Sequence, residues 1–170
     1  VNIFRVGNDA QSGSTKNAID SAISTWRNIY AAVGISLGVQ LINLTSDTGI
    51  VPSPFAGSDF YLTNSGRGDV QKYAVNVYLG SSISSDGSTN PGNTLTGVLG
   101  LAPQIPGPGI ATRKSGVALS LLAHEGADGN FSAEETTLLA ETMAHEVGHY
   151  LGLYHPVECA NFNCASGSFA

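Results

Sequence analysis

Charge is scarce in this chain. Only 12% of its 170 residues are charged, 7 Lys and Arg against 13 Asp and Glu, for a net charge of −6. The basic residues run out early: none follows Lys114, whereas seven of the acids do. An acidic chain whose last third carries no Lys or Arg is a poor candidate for binding a phosphate backbone, so no nucleic-acid partner is expected. No apolar run approaches the roughly 20 residues needed to cross a bilayer, so no membrane partner is expected. Two cysteines are too few for a disulfide framework, and no serine lies in a G-x-S-x-G elbow. Val1-Asn2-Ile3-Phe4-Arg5-Val6 reads as a strand and not as a signal peptide, as expected of a mature domain after removal of a leader or propeptide. Low charge with abundant Gly, Ser, Thr and Asn suits a secreted, extracellular protein acting as a monomer.

What is present suffices for one domain spanning 1–170, with 42% hydrophobic residues and no internal repeat. Residues 3–6 predict a strand. From Lys16 to Val33, apolar residues at Ala18, Ile19, Ala22, Ile23, Trp26, Ile29, Tyr30 and Val33 recur every three or four positions. That is an amphipathic helix, capped by Ser14 or Thr15 and stopped by Gly34, with Trp26 as a core anchor. Strands are expected at 35–45, 73–79, 95–102 and 117–123, the last a nearly continuous apolar run typical of a buried central strand. Residues 46–69, with a short apolar piece at Phe60-Tyr61-Leu62, and residues 81–93 read as loops, as does the proline-rich stretch 103–109. Ser132 and Glu135 form a capping box that opens a second long helix. On it Ala140, Met143, Ala144, Val147 and Leu151 make an apolar stripe facing the sheet. The fold class is α+β: a twisted mixed sheet of four to five strands with two long helices.

The second helix carries His145-Glu146-Val147-Gly148-His149-Tyr150-Leu151-Gly152-Leu153-Tyr154-His155. His145 and His149, four residues apart, stand one turn apart on one helix face and can grip a metal from one side. Gly152 falls where the helix should end, because glycine enters the left-handed region without penalty. Pro156 biases His155 toward extended backbone, so this third histidine approaches from a separate segment. Three protein ligands and one open position are what a catalytic zinc needs. Glu146, beside the first ligand, is placed to act as general base on water. At this chain's residue frequencies, the eleven-residue pattern arises by chance in roughly one chain in a hundred thousand of this length, so incidental surface histidines are an inadequate account.

These residues resemble the signature of the metzincin clan of zinc peptidases, H-E-x-x-H-x-x-G-x-x-H. The resemblance implies one catalytic Zn2+ held by His145, His149 and His155, a catalytic Glu146, a structural Gly152, and protein or peptide substrates. The order strand, helix, several strands, zinc helix is similar to a metzincin upper subdomain, here 1–151, followed by a short lower segment, 152–170. It also implies that the edge strand at 95–102 binds substrate as an added strand, with Gly97 and Gly100 admitting a peptide backbone. The clan's methionine turn downstream of the third histidine has no counterpart. Met143, the one methionine, lies upstream, which points to a chain truncated after Ala170 or to a minimal lower subdomain. A catalytically silent zinc fold used for protein binding and a zinc hydrolase of non-peptide substrates are the alternatives. An intact Glu146 argues against the first.

Four other features have plainer readings. His124-Glu125 has no partner at ligand spacing and is expected to be structural at a strand end. Asp128-Gly129-Asn130 lacks the full calcium-loop pattern and reads as a turn, leaving calcium unsupported. Tyr150 and Tyr154 adjoin the motif, but Tyr150 is expected to point into packing instead of toward an oxyanion. Cys159 and Cys164 are expected to pair in a short loop that pins the segment after His155.

Overall fold

The first strand in sequence lies inside the sheet, with a partner on each side. In the computed structural model, which describes residues 1–11, 13–46, 48–68 and 70–155, β1 (Asn2–Val6) is buried along its whole length. It pairs in parallel with β2 (Gln40–Leu44) and with β4 (Asn76–Gly80). β7 (Val117–Ser120) adds in parallel to β4, and β6 (Gly100–Leu101) closes the edge antiparallel to β7. The order β2-β1-β4-β7-β6 is the mixed five-stranded sheet expected. A second, two-stranded sheet pairs β3 (Ile50–Val51) with β5 (Ser82–Ile83).

Strand alternation divides the core into two layers. Ile3, Val77, Leu79, Val117 and Leu119 face the long helices α1 (Gly13–Ala31) and α3 (Ala133–Tyr150). Phe4, Tyr78 and Ala118 face the other way, onto Tyr61 of the short helix α2 (Asp59–Ser65). Phe4 and Tyr78, opposite one another in register, stack with centroids 4.4 Å apart. With both faces covered, the strands carry apolar residues at nearly every position, as parallel sheets do. Trp26 is fully buried against Tyr30 in the helix layer, and the Tyr30 hydroxyl donates to Ala144 O at 3.1 Å, tying α1 to α3. Among the described residues no helix is long and apolar enough to cross a membrane.

Several boundaries differ from the sequence expectation, each for a local reason. α1 begins at Gly13, so Ser14 and Thr15 lie inside it and are not its cap, and it ends at Ala31, leaving Val33 73% exposed before Gly34 at φ +81°. β2 starts at Gln40 instead of residue 35, because its partner β1 offers only five residues to pair with. β4 starts at Asn76 instead of 73, since Tyr73 has φ +71° and cannot continue a strand. β6 shrinks to Gly100–Leu101 because Gly97, at φ +72°, breaks the run. β7 stops at Ser120, and Leu121 and Leu122 bond back to Gly80 O and Ser81 O before the chain turns. The presumed loops contain β3, α2 and β5. α2 has its own cap, Ser58, whose hydroxyl accepts from Phe60 N, and it buries Tyr61, whose hydroxyl donates to Pro52 O.

α3 follows the sequence reading closely. Ser132 Oγ accepts from Glu135 N at 3.2 Å and Glu135 Oε2 accepts from Ser132 N at 2.6 Å, the reciprocal capping box. Ala140, Met143 and Val147 face the core as expected and Leu139 joins them, whereas Leu151 lies past the helix end and is 58% exposed.

Candidate metal centre

The end of α3 is built to bring the chain back on itself. Leu153 N bonds to Gly148 O and Gly152 N to His149 O, both at 2.9 Å, with Gly152 at φ +106°. This paired closure satisfies the last helical carbonyls and requires the left-handed conformation that glycine supplies. The reversal carries His155 to the two helical histidines. The three Nε2 atoms form an equilateral triangle with 3.0 Å sides. The His145 and His155 rings lie nearly parallel, inclined by 24°, while His149 stands edge-on to both.

The donors suit one small cation. The centre of a triangle with 3.0 Å sides lies about 1.7 Å from each corner, so the three nitrogens are close enough together that His145, His149 and His155 would hold one zinc-sized ion between them. His149 Nδ1 lies 2.7 Å from Leu153 O. A carbonyl only accepts, so Nδ1 carries the proton and Nε2 presents its lone pair to the centre. No other group of three His, Cys, Asp or Glu side chains among the described residues converges in this way.

Glu146 points from α3 toward the edge strand. It is 8% exposed, and a β-carbon on Gly100 would lie 2.7 Å from its Cγ. Burial pushes its carboxyl above the usual range. The positive ends of His149 and His155 and a hydrogen bond from the Ala102 amide pull the other way. Gly100 thus makes room for Glu146, and it also lines the groove along which the edge strand is expected to receive substrate. Gly97 has open space around it. A groove of ≈ 520 Å³ runs between Gly97–Gly100 on one wall and Glu141, Thr142, His145 and Glu146 on the other. Glu141 escaped the sequence reading, although its place four residues before His145 was the available signal.

The remaining candidates fall outside the reacting centre. Tyr150 donates to Pro108 O at 2.6 Å and packs its ring on Gly107, as expected, and burial raises its hydroxyl to about 12. Tyr154 donates to Ile105 O at 3.1 Å. His124, 1% exposed, bridges Ser120 O at 2.6 Å and Thr142 Oγ1 at 2.9 Å, a structural link between β7 and α3. Burial holds its pKa below the ordinary value, partly offset by the Ser120 carbonyl. Asp128 Oδ1 accepts from Asn130 N at 3.0 Å with Gly129 at φ +71°, which is a turn. Cys159 and Cys164, with their expected pairing, lie outside the described residues.

No curated protein matches the chain. The sequence model of the family described as metallo-peptidase family M12B, reprolysin-like, matches residues 16–156, from the first long helix through all three histidines. With zinc-peptidase chemistry expected of that family and a histidine triangle of the right size at the end of α3, the chain belongs to the reprolysin-like metallopeptidases of the metzincin clan.

Proposed function

We propose that the protein is a zinc-dependent endopeptidase that cuts peptide bonds of extended polypeptides, with His145, His149 and His155 as ligands and Glu146 as general base. The observation that carries this reading is the 3.0 Å triangle of Nε2 atoms with Glu146 next to it in a groove under a sheet edge. Zinc, when bound, lowers the pKa of water from 15.7 toward roughly 7 and stabilises the negative charge that develops on the substrate carbonyl oxygen. The chain's residues do the rest. Leu153 O holds His149 in the tautomer that presents Nε2. Glu146 accepts the proton of the attacking water on a carboxylate oxygen and returns it to the leaving amine. The Ala102 amide bonds the same carboxylate and fixes its direction. The antiparallel edge strand β6 offers backbone groups along the groove, to which an extended peptide adds as a further strand. Secretion is part of the proposal and rests on the low charge content alone.

The test is digestion of an unstructured protein such as casein by wild type and Glu146→Ala, with zinc content measured for both. Cleavage by wild type alone, at equal zinc content, supports the reading. Equal cleavage by both proteins removes Glu146 as base, and no cleavage by zinc-loaded wild type removes the peptidase reading in favour of another substrate class.

A further inference from the structure

The groove beside the histidine triangle carries a charge that the hydrolytic reaction does not use. Glu141 lies on α3 one turn before His145, on the face that bears His145 and His149, and it lines the same ≈ 520 Å³ groove as Glu146. Among the described residues it makes no hydrogen bond and no ion pair. Glu141 is exposed at the groove wall, whereas Glu146 is buried and bonded to the Ala102 amide. No Lys or Arg lines the groove. The nearest basic residues in sequence are Lys114 and Arg113, and Arg113 is tied to Asp59 at 2.6 Å. The groove therefore offers one uncommitted negative charge, with the apolar parts of Val98, Leu99 and Thr142 beside it.

We infer that Glu141 is a specificity-determining residue that selects polypeptides with a lysine or arginine side chain next to the cleaved bond. The inference rests on the peptidase reading and extends it to a substrate class. The surroundings fit such a side chain in both of its parts. A long basic residue has an aliphatic stem, which packs along Val98, Leu99 and the Thr142 methyl, and a cationic head, which reaches the carboxylate at the rim. A neutral side chain gains only the first contact, and an acidic one meets like charge from Glu141 and Glu146 together. The net charge of −6, with no base after Lys114, leaves no local competitor for the carboxylate and draws basic segments toward this end of the molecule. Because Glu141 is exposed, the pairing is modest and weakened by salt.

The experiment compares zinc-loaded wild type with Glu141→Gln and Glu141→Lys on a peptide set that differs at single positions flanking one bond, carrying Lys, norleucine or Glu. Wild type should cut the Lys peptide with a kcat/KM about fivefold above the norleucine peptide, mostly through KM, and the advantage should shrink at high salt. Glu141→Gln should bring that ratio to about one, and Glu141→Lys should turn it toward the Glu peptide. A second readout, independent of turnover, is the Kd of the same peptides in a Glu146→Gln background, where the ratio should vanish on adding Glu141→Gln. If wild type cuts all three peptides alike, or if Glu141→Gln keeps the preference, the inference is overturned while the peptidase reading stands. If zinc-loaded wild type cuts no peptide, both fall.

Discussion

The side chain of Glu146 fills the space that a β-carbon on Gly100 would need, 2.7 Å from that position to its Cγ, with Thr142 Cγ2 only 3.1 Å away. The edge strand and α3 are therefore seated on one another through a glycine. Any side chain there must displace either the candidate base or the strand.

For Gly100→Ala the expected result is a loss of about 1–3 kcal/mol in urea unfolding from overpacking. A drop on the order of 100-fold in kcat should accompany it as Glu146 is moved. Zinc content should not change, because the histidines are untouched. Gly97→Ala is the control. Its added methyl meets nothing within 4 Å, so it should cost only about 1–2 kcal/mol for its positive φ and leave kcat alone. Equal kinetic losses in both variants would show that the contact with Glu146 is immaterial.

Stripping the metal should lower the melting temperature without dissolving α3. The capping box, the core residues Ala140, Met143 and Val147, and the closure at Gly152 are all independent of zinc. A metal at a hundredfold over its Kd adds about 2.7 kcal/mol, which is the gain to be lost on chelation and restored on adding zinc. His155→Ala should keep the helical circular-dichroism signal. Its zinc affinity should fall by at least the roughly 10–100-fold that loss of an outer-shell partner costs. Unchanged affinity would remove His155 from the ligand set.

Acid should destabilise the link between β7 and α3. His124 is buried between Ser120 O and Thr142 Oγ1, and burial sets its folded pKa below the ordinary 6.5. The unfolded chain therefore binds the proton more readily. The contribution of His124 is complete above about pH 6.5 and is lost as pH falls from there through the folded value. Urea midpoints measured from pH 8 to pH 4 should decline more steeply in wild type than in His124→Gln. Taking the difference between the two proteins cancels the other three histidines. Parallel curves would mean that His124 is not the titrating group.

Tyr150→Phe separates packing from catalysis. Removing the hydroxyl that bonds Pro108 O at 2.6 Å should cost about 1 kcal/mol of stability, with kcat and KM unchanged. An oxyanion donor would instead cost about 10²–10³ in kcat on removal. A loss of that size would overturn the assignment of Tyr150 to the 103–109 loop.

Much of the site was legible because it is local. A capping box at Ser132 and Glu135, two histidines one turn apart, a glycine at φ +106° and a third histidine beyond it are relations between near neighbours in the chain. Helical periodicity and the conformational freedom of glycine set them whatever surrounds them. The strands were legible as segments but not in length. Register is a property of two partners, so β2 was cut to the five residues that β1 can pair, and single residues at positive φ, Tyr73 and Gly97, ended runs that still look apolar. α2 was missed although Ser58 caps it, because its seven residues bury a single tyrosine and show no stripe.

By itself the sequence determined the candidate metal-ligand set, the helix that presents it and the turn that completes it, since these depend on spacing along one element. Only the tertiary structure decided what stands opposite. It set Gly100 and the Ala102 amide against Glu146, gave Tyr150 to Pro108, joined His124 to Thr142, and left Glu141 open on the groove. Those partners lie from 18 residues away, for His124 and Thr142, to more than 40, for Tyr150 and Pro108, and only tertiary packing brings them within contact distance.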